Sequence, residues 1–303
     1  MVVIAKPFTI PRSETVCYNQ SLMDFKNNKN IQRTIDFALF EDIKNGDTTS
    51  QWIMPKNLLI NGDIIVKENG VIAGIEIAKQ VFKTVDKNIN FKSLVKDGSY
   101  VKKGQIVAHV RGKAISILSA ERTALNFIQR MSGIATMTSL ICKKIQGTKT
   151  KILDTRKTVP GLRLFDKWAV SLGGGQNHRF GLYDMILIKN NHIRAAKSIT
   201  AAVEKIKIHN VKNLLIEVEV ENLKQLKEAL SANVDIIMLD NMSLKEIKQA
   251  VKIVKGKVKL EVSGGINKEN VLKIAKTGVD YISIGALTHS VKALDISLKI
   301  YQQ

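Results

Sequence analysis

The chain has 303 residues, 45% of them hydrophobic, which is enough for two domains with ordinary cores. Lys and Arg total 47 against 27 acidic residues, and the formal charge of +20 favours a polyanionic partner, either nucleic acid or highly charged small molecules. The longest apolar runs are far shorter than the roughly 18 residues that a membrane span requires, so we expect no membrane association.

The N-terminal segment 1–23 is expected to be a flexible extension. It lacks the charged start, apolar core and cleavage site of a secretory signal peptide. Cys17 and Cys142 lie far apart and fit neither a disulfide framework nor a metal-binding pattern. These features indicate a protein of the reducing cytoplasm.

Residues 24–125 are predicted to form an N-terminal α/β open-sandwich domain. The segment IQRTIDFALFEDIKNGDTT has the spacing of an amphipathic helix that ends at a Gly-Asp turn. Two strand-rich segments with glycine turns follow, at 58–78 and 94–112. The helix ERTALNFIQRMSGIATMTSLICKKI then links the two halves of the chain and carries Arg122 near its start.

Residues 126–303 alternate between short apolar strands and amphipathic helices. Six strands are clear, in the segments TKILDTRKT, YDMILIKNNH, NLLIEVEVE, VDIIMLDNM, VKLEVSGGI and VDYISIGAL. Such units predict a (β/α) barrel or a doubly wound parallel sheet. Because only six strands are clear, we expect an incomplete barrel, with the last helix packing back on the N-terminal domain.

Charged residues and glycines follow the predicted strands at their carboxyl ends. In chain order these are Arg156 and Lys157, Lys189, Glu219, Asp240, Ser263-Gly264-Gly265, and Gly285. The carboxyl ends of barrel strands meet at one rim, which is where the active sites of barrel enzymes lie. The sequence therefore predicts an active site at this rim.

Two glycine turns at this rim predict a phosphate site. SGGI and IGAL each follow a strand and are expected to open a helix, so that backbone N–H groups can approach an anion. Glycines that simply end strands are the competing interpretation. Two such turns in succession favour phosphate.

A carboxylate pair is expected beside this phosphate site. Glu219 and Asp240 end neighbouring strands, and they could hold ribose hydroxyls or hydrated Mg²⁺ and stabilise positive charge on a sugar carbon. Salt bridges to Lys157 or Lys189 are the structural alternative. Glu217 shares the strand face of Glu219, so spacing alone does not decide which of the two acts.

The segment 153–181 concentrates fixed cations in a loop-like stretch. It holds Arg156, Lys157, Arg163, His178 and Arg179. This chain uses Lys far more often than Arg, so its few arginines indicate sites that need a bidentate fork for carboxylate or phosphate. The stretch is therefore predicted to bind a multiply charged anion.

Seven blocks of this sequence closely resemble the quinolinate phosphoribosyltransferase family, in the family's order. They are ERTALNFIQRMSGIAT, DTRKTVPGLR, GGGQNHRFGLYDMILIKNNH, EVEVENL, MLDNM, EVSGGI and GVDYISIGALTHS. The resemblance runs from about Asp24 to the C-terminus. It implies that quinolinate and phosphoribosyl pyrophosphate give nicotinate mononucleotide, pyrophosphate and CO₂, with Mg²⁺ required.

The resemblance also implies roles for individual residues. It places Arg122, Arg156, His178, Arg179 and Lys189 around the two carboxylates of quinolinate. It places Lys157, Glu219, Asp240, Ser263, Gly264, Gly265, Gly285 and His289 at the phosphoribosyl donor. Lys157, Glu219 and Asp240 are then the catalytic residues, with Glu219 and Asp240 holding Mg²⁺ through water. The family pattern thus selects Glu219 over Glu217, and it implies a homodimer or higher oligomer in which Arg122 serves the neighbouring chain's site.

Three alternatives stay open at this point. A nicotinate-type phosphoribosyltransferase would need one carboxylate clamp, so the surplus of Arg and His argues against it. A paralogue linked to molybdate transport is disfavoured by the intact DTRKT and NHRFG blocks with Lys189. A nucleic-acid-binding protein would use the charge, but aromatic residues are only 5% and no recognition helix is evident, so we expect no nucleic-acid partner.

Overall fold

A computed structural model describes residues 29–301 of the chain. These residues form two compact units. The unit called here the sandwich unit contains residues 29–140, 157–175 and 286–301, and the barrel unit contains residues 141–156 and 176–285. The expected N-terminal extension, 1–23, lies outside the described residues.

The sandwich unit opens with two helices and a sheet. In chain order its elements are α1 (Lys29–Ile43), α2 (Thr48–Ile53), β1 (Leu59–Val66), β2 (Gly70–Val71), α3 (Ile75–Val85), β3 (Asn90–Ser93), β4 (Tyr100–Val101), β5 (Ile106–Lys113) and α4 (Ala114–Lys144). The amphipathic α1 buries Ile31, Ile35 and Leu39 at helical spacing. Strand β1 alternates buried and less buried residues, as a sheet with one covered face requires.

Later segments of the chain complete the sandwich unit. They are α5 (Arg163–Leu172), α11 (Ala286–His289) and β12 (Ile296–Tyr301). The four-stranded sheet has the order β12-β1-β5-β3, and its neighbouring strands are antiparallel. The C-terminal segment does return to this unit, but as a strand rather than the expected helix. Its alternating apolar and polar residues, ISLKIY, have the period of a strand.

The barrel unit is built on one six-stranded parallel sheet. Its strands are β6 (Lys151–Leu153), β7 (Ile186–Ile188), β8 (Ile216–Val220), β9 (Ile236–Asp240), β10 (Lys259–Ser263) and β11 (Tyr281–Ser283). The order is β6-β11-β10-β9-β8-β7. The first four residues of β9, Ile-Ile-Met-Leu, are all buried, which explains the continuous apolar sequence of that strand. The prediction of an incomplete barrel with an N-terminal α/β sandwich is confirmed.

Helices alternate with these strands, and three of them begin at a capping side chain. They are α6 (Asn190–Ala196), α7 (Ile199–His209), α8 (Leu223–Ser231), α9 (Leu244–Val254) and α10 (Val271–Ala275). The side chains of Ser198, Asn222 and Ser243 accept backbone N–H groups at the starts of α7, α8 and α9.

Two sequence expectations differ from the observed arrangement. The SGGI turn does not open a helix directly, because α10 begins only at Val271, whereas α11 does begin directly after Gly285. The expected domain boundary at 125/126 falls inside α4, and segments 157–175 and 286–301 belong to the sandwich unit. The compact units are thus interleaved along the chain. Over residues 29–301, no helix combines the length and apolar character needed to cross a bilayer.

Candidate active site

The end of β6 fixes the position of the NHRFG block, residues 177–181. Asp154, which is fully buried, accepts a hydrogen bond from the backbone N–H of His178 at 2.8 Å. The N–H of Asp154 donates to the carbonyl of Gln176 at 3.1 Å. Asp154, the acidic residue of the DTRKT block, therefore anchors the NHRFG block next to the carboxyl end of β6.

Arg179 lies buried in this anchored stretch, with only 8% of its surface exposed. Its Nη1 donates to the carbonyl of Met185 at 3.1 Å. Burial, followed by the positive charge of Arg156, lowers the pKa of Arg179, while Glu217 and Asp184 oppose this. Two guanidinium groups close enough to repel each other form a place where a doubly charged anion is stabilised.

The loop after Arg179 is held by a single carboxylate. Asp184 accepts the backbone N–H groups of Phe180 at 2.6 Å and Gly181 at 2.8 Å. The Asp184 carboxylate thus ties the preceding loop back to itself through two charge-assisted hydrogen bonds. It gives Arg179 a defined backbone although the surrounding segment has no regular secondary structure.

Lys189 and Glu219 form an ion pair at the ends of β7 and β8. The Lys189 Nζ lies 3.3 Å from Glu219 Oε2, with half of the lysine side chain exposed. Asn190 Nδ2 reaches Glu219 Oε1 at 3.5 Å and Glu221 Oε1 at 2.6 Å. The structural alternative considered for Glu219, a salt bridge to Lys189, is thus present, and it leaves the lysine accessible to a ligand.

Asp240 ends β9 and is tied to the glycine turn after β10. Its Oδ2 accepts from Asn241 Nδ2 at 2.9 Å, and the N–H of Asn241 donates to the Ser263 carbonyl at 2.9 Å. A Cβ at Gly264 would overlap the side-chain oxygen of Asn241, and the φ of Gly264 is +94°. Glycine is therefore required at this position for the two strand ends to approach.

The backbone of Gly265 faces open space. Its φ is +60°, and no atom lies within 4 Å of where its Cβ would be. With no side chain on Gly265 and open space beside it, an anion has room to approach the backbone N–H groups of this turn. Since α10 begins six residues later, any phosphate binding here would use the turn rather than a helix end.

A buried cluster of His178, Glu217 and Glu261 lies beneath these residues. His178 Nε2 is 3.0 Å from a Glu217 carboxylate oxygen and 3.7 Å from one of Glu261. His178 Nδ1 accepts the N–H of Arg179 at 2.7 Å. Both ring nitrogens therefore face groups of the chain itself. Direct contact between His178 and a quinolinate carboxylate would require the ring to leave one of them.

Little in the amino-acid sequence points to this cluster. The sequence pattern offers Glu217 only as an alternative to Glu219, and it does not single out Glu261. Each lies two residues before a predicted site residue on the same strand, Glu217 before Glu219 and Glu261 before Ser263. The two-residue period of a strand could have shown that they share the inward face.

The protonation of Glu261 predicts a pH-dependent stability. Burial raises the pKa of Glu217 and of Glu261 to about 8. Because the folded value lies above the unfolded one, this stability is fully present below the unfolded pKa and is lost as pH rises through about 8. We expect Glu261→Gln to have the melting temperature of the wild type at about pH 5 and a melting temperature about 5 °C higher than the wild type at about pH 9.

Thermal unfolding followed by circular dichroism at both pH values would test this. The exposed Glu269→Gln, in the same unit, is the matched control and should melt like the wild type throughout. If Glu261→Gln has the same offset from the wild type at both pH values, the carboxyl group is not retaining a proton on folding.

The remaining predicted site residues lie in the sandwich unit. Arg122 is exposed on α4, and Lys157 is exposed in the segment before α5. His289 ends α11, and its Nδ1 lies 2.7 Å from the hydroxyl of Ser290. The other predicted residues all belong to the barrel unit: Arg156, His178, Arg179, Lys189, Glu219, Asp240, Ser263, Gly264, Gly265 and Gly285. Most of these follow the carboxyl ends of its strands, as the sequence predicted.

The fold and this arrangement of cations, carboxylates and glycine turn define an α/β-barrel phosphoribosyltransferase. Residues 47–132 match the sequence profile of the quinolinate phosphoribosyl transferase N-terminal domain, and residues 134–299 match that of its C-terminal domain. The chain therefore belongs to the quinolinate phosphoribosyltransferase family. The resemblance seen in the seven blocks is confirmed.

Individual relatives agree with this assignment. The chain is 44% identical over 274 residues to the "Probable nicotinate-nucleotide pyrophosphorylase [carboxylating]" of Bacillus subtilis, covering 90% of this chain and 94% of the relative. It is 45% identical to the chloroplastic enzyme of Arabidopsis thaliana, covering 89% and 82%. The solved nicotinate-nucleotide pyrophosphorylase of Francisella tularensis superposes with a TM-score of 0.86 at 46% identity, covering 90% of this chain and 96% of that one.

Proposed function

We propose that this protein transfers the phosphoribosyl group of phosphoribosyl pyrophosphate to quinolinate and decarboxylates the product to nicotinate mononucleotide. The observation that carries this proposal is the buried guanidinium of Arg179, which feels the positive charge of Arg156, together with the accessible Lys189 at the carboxyl end of β7 in the same unit. Fixed cations in such numbers suit a dicarboxylate better than a monocarboxylate. The names of the relatives in the family support the same reaction.

The proposed roles of the residues follow from their positions and the family pattern. In the barrel unit, Arg156, Arg179 and Lys189 bind the carboxylates of quinolinate, and Ser263, Gly264, Gly265 and Gly285 bind the phosphoribosyl donor. His178 stays assigned to quinolinate by the family pattern. In the sandwich unit, Lys157 and His289 stay assigned to the donor and Arg122 to quinolinate on the family pattern alone.

The carboxylates at the strand ends stabilise the sugar during transfer. As the pyridine nitrogen attacks the anomeric carbon and pyrophosphate leaves, positive charge develops on that carbon. Glu219 and Asp240 offer preorganised negative charge for this state. The quinolinate mononucleotide that results has a cationic ring nitrogen next to the carbon that loses CO₂. That nitrogen stabilises the electron pair left on the carbon until the carbon takes up a proton from water, so the substrate supplies its own electron sink. The protein contributes mainly orientation and charge.

Mg²⁺ is the proposed cofactor, brought with the phosphoribosyl donor. Glu219 and Asp240 fit it, because both are carboxylates, the oxygen donors that this ion prefers, and neither is fully buried. When bound, the ion would neutralise charge on the pyrophosphate. The two residues would hold it through water.

We further propose a cytoplasmic homodimer, or a higher oligomer. Four large apolar side chains on α1 and α2 are 63–83% exposed in the single chain: Phe37, Phe40, Trp52 and Ile53. Large exposed apolar side chains are typical of association surfaces. The two isolated cysteines, Cys17 and Cys142, support the proposed location. Light scattering of the purified protein would report the assembly.

One assay tests the proposed activity. Purified protein with Mg²⁺ and phosphoribosyl pyrophosphate should release pyrophosphate and CO₂ when quinolinate is added. Nicotinate in place of quinolinate should give much slower release, because it offers one carboxylate to a site built for two. Equal turnover of both acids, or of neither, would contradict the proposal.

Replacing Asp240 should separate chemistry from binding. We expect Asp240→Asn to lower kcat about 100-fold with little change in the KM for quinolinate, because charge stabilisation is needed mainly in the transition state. Steady-state kinetics would measure this. Asp235→Asn is the matched control, because Asp235 precedes the other end of β9 and accepts the Ile216 N–H, which an amide oxygen can also do. A loss confined to quinolinate affinity would contradict the role of Asp240.

A further inference from the structure

A buried ion pair in the sandwich unit joins α4 to α5. The Nε and Nη2 of Arg130 each donate to one carboxylate oxygen of Asp166 at 2.8 Å. Asp166 is fully buried, and the Arg130 side chain is 23% exposed. This bidentate pairing is the geometry that only an arginine can supply. Nothing in the proposed reaction uses either side chain directly.

The ion pair also holds two backbone groups. Arg130 Nη2 donates to the carbonyl of Thr288 at 3.1 Å. Asp166 accepts the backbone N–H of Val159. Each partner therefore fastens a different segment: α11 through Thr288, and the irregular segment before α5 through Val159.

Thr288 also forms a hydrogen bond to the backbone of Lys157. Its Oγ1 donates to the Lys157 carbonyl at 2.7 Å, and the threonine is fully buried. Lys157 itself is exposed and has no helix or strand around it. The three-residue stretch from Lys157 to Val159 is thus fastened at both ends to the same ion pair. Thr288 also precedes His289 directly.

We propose that Arg130, Asp166 and Thr288 are positioning residues that set the backbone of Lys157 and His289 for the phosphoribosyl donor. This rests on the proposed function, in which those two residues contact the donor. A lysine carries its charge on a flexible stem, so a mobile backbone would add to the freedom lost on binding. Fastening the backbone beforehand removes part of that cost.

Thr288→Val removes the hydroxyl donor at nearly constant size. We expect the KM for phosphoribosyl pyrophosphate to rise about tenfold, as for the loss of one buried hydrogen bond, while the KM for quinolinate stays unchanged. Thr288→Ser keeps the donor and should retain the wild-type KM. Thr138→Val is the matched control, because Thr138 is equally buried in the same unit and donates to the Ile134 carbonyl within its own helix.

Hydrogen exchange gives a readout that needs no substrate. A peptide covering residues 154–162 should exchange faster in Thr288→Val than in the wild type, and not in Thr138→Val or Thr288→Ser. Should Thr288→Val fail to fold, Arg130→Lys serves instead. A lysine can pair with Asp166 but cannot reproduce the fork and the third bond, so the same selective rise in KM is expected.

The outcomes separate the two proposals. A wild type that does not convert quinolinate would remove the proposed function, and the exchange measurement would still test whether the network anchors Lys157. An active wild type with an unchanged donor KM in Thr288→Val would overturn this inference alone. An equal rise in both KM values would also overturn it, because it would indicate general damage rather than positioning.

Discussion

Arg179→Lys is expected to raise the KM for quinolinate almost as much as Arg179→Ala does. Lysine keeps the charge, but its single ammonium cannot both bind a carboxylate bidentately and donate to the Met185 carbonyl as the guanidinium does. Arg179 is buried, so water cannot replace the missing hydrogen bonds. Breaking one partner of such a buried pair costs about 2–5 kcal/mol, or roughly 30- to several thousand-fold in KM.

Steady-state kinetics with both substrates would measure this loss. The donor KM should change little, because the expected defect lies in carboxylate binding. Arg111→Lys, an exposed arginine on β5, is the control for the substitution itself and should behave like the wild type. A lysine variant with wild-type affinity for quinolinate would show that charge, and not geometry, selects arginine at this position.

The fold could be predicted because its periodic features are local. Continuous apolar strands separated by amphipathic helices determine a parallel sheet, and the strand count of six proved correct. The polar residues at the strand ends followed from the same reasoning, because parallel strands end at one edge. Arg156, Lys189, Glu219 and Asp240 therefore fell where they were expected.

The features that were missed depend on contacts between distant residues. The Arg130–Asp166 pair joins positions 36 residues apart, and the bond from Arg130 to Thr288 spans 158. No period or motif links such positions. The same holds for the return of residues 286–301 to the sandwich unit, where β12 pairs with β1. The sequence pattern predicts one domain boundary at 125/126, whereas segments of the two units alternate along the chain.

The buried carboxyls show a different limit. A glutamate within an apolar strand suggests function, and the choice between Glu217 and Glu219 was made from the family pattern. The structure adds that Glu217 is fully buried against His178, whereas Glu219 contacts the accessible Lys189. The partners of the two carboxylates, which a strand pattern alone does not report, are what distinguish them. Assignment of the catalytic role to Glu219 stays a prediction that this difference supports.

A shared active site would make two inactive variants restore each other. In the proposed homodimer, Arg122 of one chain serves the site that contains Lys189 of the other. Arg122→Ala and Lys189→Ala should each be nearly inactive, because each removes a cation from the quinolinate site. Both residues are exposed, so neither change should prevent folding. Thermal unfolding of each variant would confirm this before the mixing experiment.

Unfolding the two variants together and refolding them should recover about a quarter of wild-type activity. Random pairing makes about half of the dimers mixed, and in each mixed dimer one of two equivalent sites keeps both Arg122 and Lys189. Differently tagged chains, purified through both tags, would prove that mixed dimers form. If each site were built from one chain, every site would still lack one of the two cations. Proven mixed dimers with no more activity than their parents would therefore rule out a shared site.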